Sequence, residues 1–318
     1  MSMKRTLGRL ALALATAGLM TSGLADITVA YITNSNTNEG WTLINGGAKK
    51  AGQKPGIKFI QLAVEQGELS KQPAIVEDII THKVNAMAIA PINSAGITPA
   101  INKVLAAGIV AVAVDTNSTG VKITSHVAAD NLKAASVQGE WRAEQIKDND
   151  TVICLTGELG QSTGQERKKG LLDRLNAKCK NAKVVEVPTT WNQTIAQNGI
   201  ETAKHASPGA KVIACAWDAG ALGAKAAMMA AGKKAGSIKI AGVNGSPGGL
   251  NMTKQGWQQA NAAQMLTKIS QVGVETAITA AVGKKVETRL DTGSFLVLPS
   301  HLDPFAKDSG VVQFMRAK

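Results

Sequence analysis

The sequence predicts an α/β protein made of two doubly wound parallel-sheet domains joined by a three-segment hinge. Short apolar runs alternate with helix-length stretches along almost the whole chain. The runs are nearly continuous in Val, Ile and Ala, which marks strands covered on both faces, as in parallel sheets. The alternation breaks once, over 121–131, and then restarts, so the chain reads as two similar halves.

The first 25 residues stand apart. Lys4, Arg5 and Arg9 form a basic start, 10–20 is apolar, and Gly23 and Ala25 are the small residues of a cleavage site. This pattern is that of a secretory signal peptide, too short in its apolar part to span a bilayer. Cleavage after Ala25 would leave Asp26 first, and no Cys follows to carry a lipid anchor. A soluble exported product is expected, with the periplasm as its compartment.

The mature chain opens with a β-branched run over 27–32, a polar loop over 33–40, and a helix start carrying Trp41. In open α/β sheets ligands sit beyond the carboxyl ends of strands, where Asn34, Asn38 and Trp41 fall. An amide offers one acceptor and two donors, and an indole offers a flat apolar face, a combination suited to a small neutral polyhydroxy ligand. The same residues also suit a plain turn, since Asn favours loops and helix N-caps and Trp favours cores. This stretch by itself leaves both readings open.

The pattern continues with strands over 58–64, 85–90 and 110–115, and helices over 70–82 and 95–107. Pro73 falls in a first helical turn if Ser70 is the N-cap, where its missing N–H costs nothing. Residues 121–131 are extended. A helix over 132–146 reopens the alternation, followed by strands over 151–156, 183–187, 211–217 and 238–243. Helices over 164–177, 195–206 and 219–231 lie between them. A strand over 257–264, a helix over 266–282 and a strand over 293–298 end the pattern, and 300–318 forms a tail without an assigned role. The domains are expected at 26–129 plus 265–291, and at 130–264 plus 292–318.

The second half repeats the logic at its strand ends. The loop GELGQSTGQERKKG after Thr156 fits neither a P-loop nor a dinucleotide fingerprint. It carries Arg167, whose fork of donors suits oxygen ligands; a salt bridge to Glu158 or Glu166 is the plain alternative. Trp191 follows one strand, Trp217 and Asp218 end the next, and Asn244 ends the one after. With Trp41, these rings suggest a lined pocket, whereas Trp141 and Trp257 read as packing residues.

The formal charge is +12. Three of these charges leave with the leader, and the remaining lysines are scattered near helix ends and turns, so no nucleic-acid partner is expected. Cys154, Cys179 and Cys215 follow no metal spacing. Cys154 and Cys215 sit in apolar runs as buried thiols, and a disulfide through Cys179 is open in an oxidising compartment. None of the four histidines falls at a strand-end pocket, and no HExxH, GxSxG or paired-carboxylate arrangement appears. Neither an enzyme, a metal site nor a cofactor is read here.

Several stretches taken in order carry a family likeness: NSNTNEGW, the strand ending AVDT, SHVAADN, GQSTGQERKKG, AWDAGALGA, AGVNGSPGG and NAAQ. Over about residues 26 to 298 the chain resembles the periplasmic sugar-binding proteins of ABC importers, most closely the ribose-binding group. The resemblance implies the type I periplasmic binding protein fold, a cleft that closes on a monosaccharide or related polyol, an ABC importer permease as partner, and a monomer. It implies ligand contacts from Asn34, Asn38, Trp41, Asp115 and Thr116 in the first domain. Arg167, Trp191, Trp217 and Asn244 would come from the second, and Gln264 from a crossover. The departures are Thr116 where ribose binders have Arg, Trp217 where they have Asn, Asn244 where they have Asp, and Gly40 in place of a ring. These speak against ribose itself. A periplasmic sugar-sensing module feeding a receptor would use the same cleft chemistry. The effector core of a repressor shares the fold but would need a helix-turn-helix in place of the leader. As a strand-end residue outside the core, Arg167 is expected to matter for binding and little for stability.

Overall fold

Two sheets organise the chain, each with central strands of β-branched and small apolar residues covered on both faces. The computed structural model describes residues 27–64 and 68–315; the proposed leader and its cleavage point lie outside the described residues. The first unit runs β1 (Ile27–Thr33), α1 (Glu39–Gly52), β2 (Ile57–Ala63), α2 (Lys71–Thr81), β3 (Ala86–Ile89), α3 (Thr98–Ala106), β4 (Val110–Val114) and β5 (Ser125–Ala128). The second runs α4 (Asn131–Ala143), β6 (Thr151–Thr156), α5 (Ser162–Lys178), β7 (Lys183–Pro188), α6 (Gln193–Ala206), β8 (Val212–Cys215), α7 (Asp218–Ala230), β9 (Lys239–Asn244), α8 (Pro247–Lys254) and β10 (Ala260–Gln264). The chain then returns with α9 (Leu266–Ala281) and β11 (Arg289–Asp291), and leaves again with β12 (Ser294–Val297), α10 (Leu302–Asp308) and α11 (Val312–Met315).

The first sheet has the order β11-β5-β4-β3-β1-β2 and the second β12-β10-β9-β8-β6-β7. All pairs are parallel except β12 against β10. The strand order reverses next to β1 in one sheet and next to β6 in the other. Both reversals leave a crevice at the carboxyl ends, which is where such folds bind ligands. β1, β3 and β4 are almost wholly buried, as are β6, β8 and β9. That burial is why they read as continuous apolar runs.

Local chemistry sets the helix starts. Asn38 caps α1 by accepting from Gly40 N at 2.9 Å, Asp130 caps α4 from Lys133 N at 2.8 Å, and Asn192 caps α6 from Ile195 N at 3.0 Å. Ser246 caps α8, with Pro247 at its first position, where a missing N–H is harmless. Pro73 sits in the first turn of α2, as the sequence predicts.

The chain passes between sheets at three places: from β5 to α4, from β10 to α9, and from β11 to β12. The outer two crossings are tied together. Asp291 Oδ1 accepts from Asp130 N at 3.1 Å, Thr292 N donates to Ala128 O at 3.1 Å, and Arg289 Nη1 donates to Ala128 O at 2.9 Å. One of these bonds is backbone to backbone and two use a side chain, so the outer crossings run side by side as a pair.

Several elements differ from expectation. Residues 257–259 are not strand; Gly256 turns with a positive φ of 75°, and Gln259 Oε1 takes the Ile240 N at 2.9 Å, so a side chain stands in for the ladder there. β11 and α8 are too short to show a period. The tail folds as a 3-10 turn, α10 and α11, burying Leu302, Phe305, Ala306 and Val311. Phe305 packs against Phe295 at 6.1 Å between ring centroids. All three cysteines are free and buried, so Cys179 makes no disulfide.

Candidate ligand site between the domains

The two units meet at their strand ends with the cleft shut. Ser94 N donates to Gly160 O at 2.9 Å, Ser162 N to Ser94 Oγ at 2.9 Å, and Asn117 N to Ser162 Oγ at 2.9 Å. On another side, Gly248 N at the start of α8 donates to Glu39 Oε2 of α1 at 2.8 Å. Between these contacts lies a cavity of about 50 Å³. Its wall includes Asn34, Asn38, Trp41, Asp115, Arg167, Trp191, Trp217, Asn244 and Gln264, all candidates from the sequence.

Asp115 reaches this wall from the end of β4 by leaving the extended region. Its φ is +59°, a conformation that costs a non-glycine residue free energy and persists where the surroundings fix it. Here its N–H donates to Val127 O at 2.9 Å, and its carbonyl lies 3.0 Å from His126 Nε2, which therefore carries the proton. Burial lowers the His126 pKa to about 4 and so keeps the ring neutral. Burial also raises the pKa of the Asp115 carboxyl, against the pull of the Arg167 charge.

Arg167 is 5% exposed, and four of its five N–H donors have protein partners. Nε donates to Asn131 Oδ1 at 2.8 Å, Nη1 to Ala216 O at 2.8 Å and to Asn244 Oδ1 at 3.1 Å, and Nη2 to Gln264 Oε1 at 3.3 Å. It lies 5.6 Å from the centre of the Trp191 ring. Neither of the acids beside it in sequence, Glu158 or Glu166, forms an ion pair with it among the described residues. Nor does Asp115. The carboxylate and the guanidinium thus face one cavity from opposite domains without neutralising each other.

Trp191 and Trp217 meet edge to face at 5.5 Å and 87°. Trp191 has a φ of +59°, its Nε1 donates to Gln161 Oε1 at 2.6 Å, and its ring lies flat against Gly157. A Cβ at Gly157 would come within 2.1 Å of that ring, so only glycine fits. Trp217 is 2% exposed. Two buried polar atoms in the wall have no partner, Trp217 Nε1 and Asn34 Oδ1. A buried orphan of this kind costs about 1–3 kcal/mol until a partner answers it.

Thr116 corrects the expectation: it does not line the cavity. It is fully buried behind Asp115, its hydroxyl 2.9 Å from Thr163 Oγ1 and 3.4 Å from Asp115 Oδ2. Its hydroxyl instead reaches across the domain boundary to Thr163 on α5. Gln161 and Thr163 line the wall and were not singled out. Gln161 is the N-cap residue and Thr163 lies in the first turn of α5, just beyond β6, where the strand-end rule that flagged Arg167 applies equally. Asn131 is also new; it lies behind Arg167 and holds both Arg167 Nε and Gln264 Nε2 through one oxygen, a role that no local pattern announces.

Two parallel-sheet domains, hinged at three crossings and closed over a cavity at their strand ends, define a two-domain binding protein of the periplasmic type. The chain belongs to the periplasmic binding protein domain family, whose model matches residues 29–285. It is 26% identical over 298 residues to the ribose import binding protein RbsB of Salmonella typhimurium, covering 94% of this chain and 99% of that one. It is 29% identical over 273 residues to the D-ribose/D-allose-binding protein of Pseudomonas aeruginosa, covering 83% and 85%. Among solved structures, an ABC transporter solute-binding protein from Agrobacterium vitis with bound D-fucose superposes with a TM-score of 0.84 at 23% identity, covering 88% and 99%. One from Bacillus halodurans with bound myo-inositol gives 0.83 at 22%, covering 90% and 99%. Those two share the fold. No described helix is long and apolar enough to cross a membrane.

Proposed function

We propose that the protein captures a monosaccharide or related polyol between its domains in the periplasm and delivers it to the permease of an ABC importer. It acts as a carrier, not a catalyst. The observation that carries this reading is the cavity wall. Three indoles offer apolar faces for sugar C–H groups, Asp115 and Arg167 offer one acceptor and one donor charge from opposite domains, and Asn34 and Trp217 hold unanswered polar atoms. The contacts assigned to ligand are Asn34, Asn38, Trp41 and Asp115 from the body 26–129 plus 265–291. Arg167, Trp191, Trp217 and Asn244 come from the body 130–264 plus 292–318, with Gln161 and Gln264 beside them. Capture works by closure. Only the closed form brings both sets together, so a ligand that touches both must shift the population toward it.

The test is a thermal-shift screen of pentoses, hexoses, their alcohols and inositols. A compound present at a hundredfold its dissociation constant stabilises by about 2.7 kcal/mol, a rise easily read. The same compound should shrink the radius of gyration in X-ray scattering. A screen in which no sugar or polyol stabilises the protein overturns the proposal. For export, mass spectrometry of the periplasmic protein should show Asp26 as the first residue, and an intact Met1 on a soluble product refutes it.

A further inference from the structure

The cavity between the closed units is small. Small-molecule sites usually measure about 300–1,000 Å³, and this one measures about 50 Å³. A water needs about 10–15 Å³ of cavity and displaces about 30 Å³ of liquid, so the space holds roughly three to five waters. A CHOH unit takes up about as much room as one water. A chain of roughly three or four carbons with its hydroxyls therefore fills the space, and a hexose ring with its substituents exceeds it.

Contacts already made from one unit to the other fix this size in the closed form. Thr163 lines the cavity, and its Oγ1 lies 2.9 Å from Thr116 Oγ1. Gln161, also in the wall, donates through Nε2 to the carbonyls of Pro91 and Ile92, at 3.3 Å each. At Gly40 a Cβ would already touch Asn244 Nδ2 at 3.5 Å. The rings are held as firmly. Trp217 is buried with its edge against Trp191, and a Cβ on Gly220 of α7 would come within 2.5 Å of its ring. A ligand larger than the space must hold the units apart, and it then forfeits the hydrogen bonds that closure makes.

The polar wall matches a short polyol. Trp217 Nε1 is a donor without a partner, Asn34 Oδ1 an acceptor without one, and Arg167 keeps one of its five donors uncommitted. A hydroxyl both donates and accepts, so a few hydroxyls on adjacent carbons can answer all three.

Resting on the sugar-capture reading, we infer that the ligand is a three- or four-carbon polyhydroxy compound, a tetrose or a short alditol, and that closure selects it by size against hexoses. Trp217 is the residue that sets the limit, because its fixed ring takes up one side of the cavity.

Calorimetry on the whole protein decides it. Glycerol, erythritol, both threitols, erythrose and threose would be titrated beside D-ribose, D-allose, D-fucose, D-glucitol and myo-inositol. The tightest ligand should have three or four carbons, and every six-carbon compound should bind at least fivefold more weakly. Trp217→Ala, which removes the ring, should narrow that gap at least twofold; if its melting curve shows that it has not folded, Trp41→Ala, at a half-buried ring of the same wall, takes its place. A five- or six-carbon compound that binds most tightly, or a six-carbon compound within fivefold of the best short one, overturns the inference and leaves the capture reading standing. A gap that narrows less than twofold in the folded variant also overturns it. If no compound in either set binds, the capture reading itself falls, and this inference with it.

Discussion

Arg167→Ala should destabilise the ligand-free protein, contrary to what a strand-end position suggests. The guanidinium is the common donor for Asn131, Ala216, Asn244 and Gln264, drawn from the start of α4 and the ends of β8, β9 and β10. All four lie in the second unit or at its crossing, so opening the cleft does not release them. Hydrogen bonds to a charged donor are worth about 1.5–3 kcal/mol each. They share one side chain and are not additive, and water entering an open cleft would answer Asn244 and Gln264. The buried Ala216 acceptor would remain orphaned and Asn131 Oδ1 would keep only the bond from Gln264, giving an expected loss of about 3 kcal/mol in unfolding free energy. For a unit of this size that is roughly 6–12 °C in melting temperature. Urea unfolding without sugar measures it, and Arg167→Lys, which keeps the charge but not the fork, should fall between wild type and Ala. A loss below about 1 kcal/mol would refute the reasoning and return Arg167 to a purely ligand-facing role.

Glu39→Gln should weaken the clasp on α8, which joins the two domains only when they are closed, and so speed release of the best-binding sugar from the screen by roughly fivefold, about 1 kcal/mol; an unchanged dissociation rate in stopped-flow fluorescence would show that the clasp carries no closure energy. Trp191→Ala should cost about 1–3 kcal/mol of affinity, and because only 5 tryptophans are present, binding should visibly change intrinsic fluorescence; unchanged affinity at Trp41, Trp191 and Trp217 alike would leave these rings as packing. Asp218 is buried, accepts from Ser246 N at 2.8 Å and Asn261 Nδ2 at 2.7 Å, and has its pKa pushed up to about 7 mainly by burial. Its folded form thus holds a proton that the unfolded chain releases near pH 4, so its contribution to stability is full below that pH and is lost as pH rises toward 7, at up to about 1.4 kcal/mol per unit. Asp115 and Glu166, also raised by burial, act in the same direction, and His126 acts oppositely at the acid end. The pH slope of stability should therefore be flatter in Asp218→Asn than in wild type between pH 4 and 7, and identical slopes would rule this group out.

Much of the architecture was legible because its causes are local. β1, β4 and β6 are apolar without interruption since both their faces are covered. The caps Asn38, Asp130 and Asn192 mark helix starts wherever a short acceptor precedes a helical run. Parallel strands place their carboxyl ends at one edge, so the sequence alone put Asn34, Trp41, Asp115, Arg167, Trp191 and Asn244 near a common cleft. What it could not supply is direction. Thr116 and Asp115 are neighbours, yet Asp115 lines the cavity while Thr116 commits its hydroxyl to Thr163 across the domain boundary. Arg167 reads as a free fork for ligand, but partners from 36 residues before it to 97 after it already hold four of its five donors. Asn131, Gln258 and Gln264 look alike in sequence, and only their depth and neighbours separate a positioning amide from a packing one. The clasp between Glu39 and Gly248 joins residues 209 apart and exists only because two sheets meet. Propensity and periodicity act over a few residues, while side-chain direction, burial and partnership arise from contacts between distant segments, and those are decided when the domains pack.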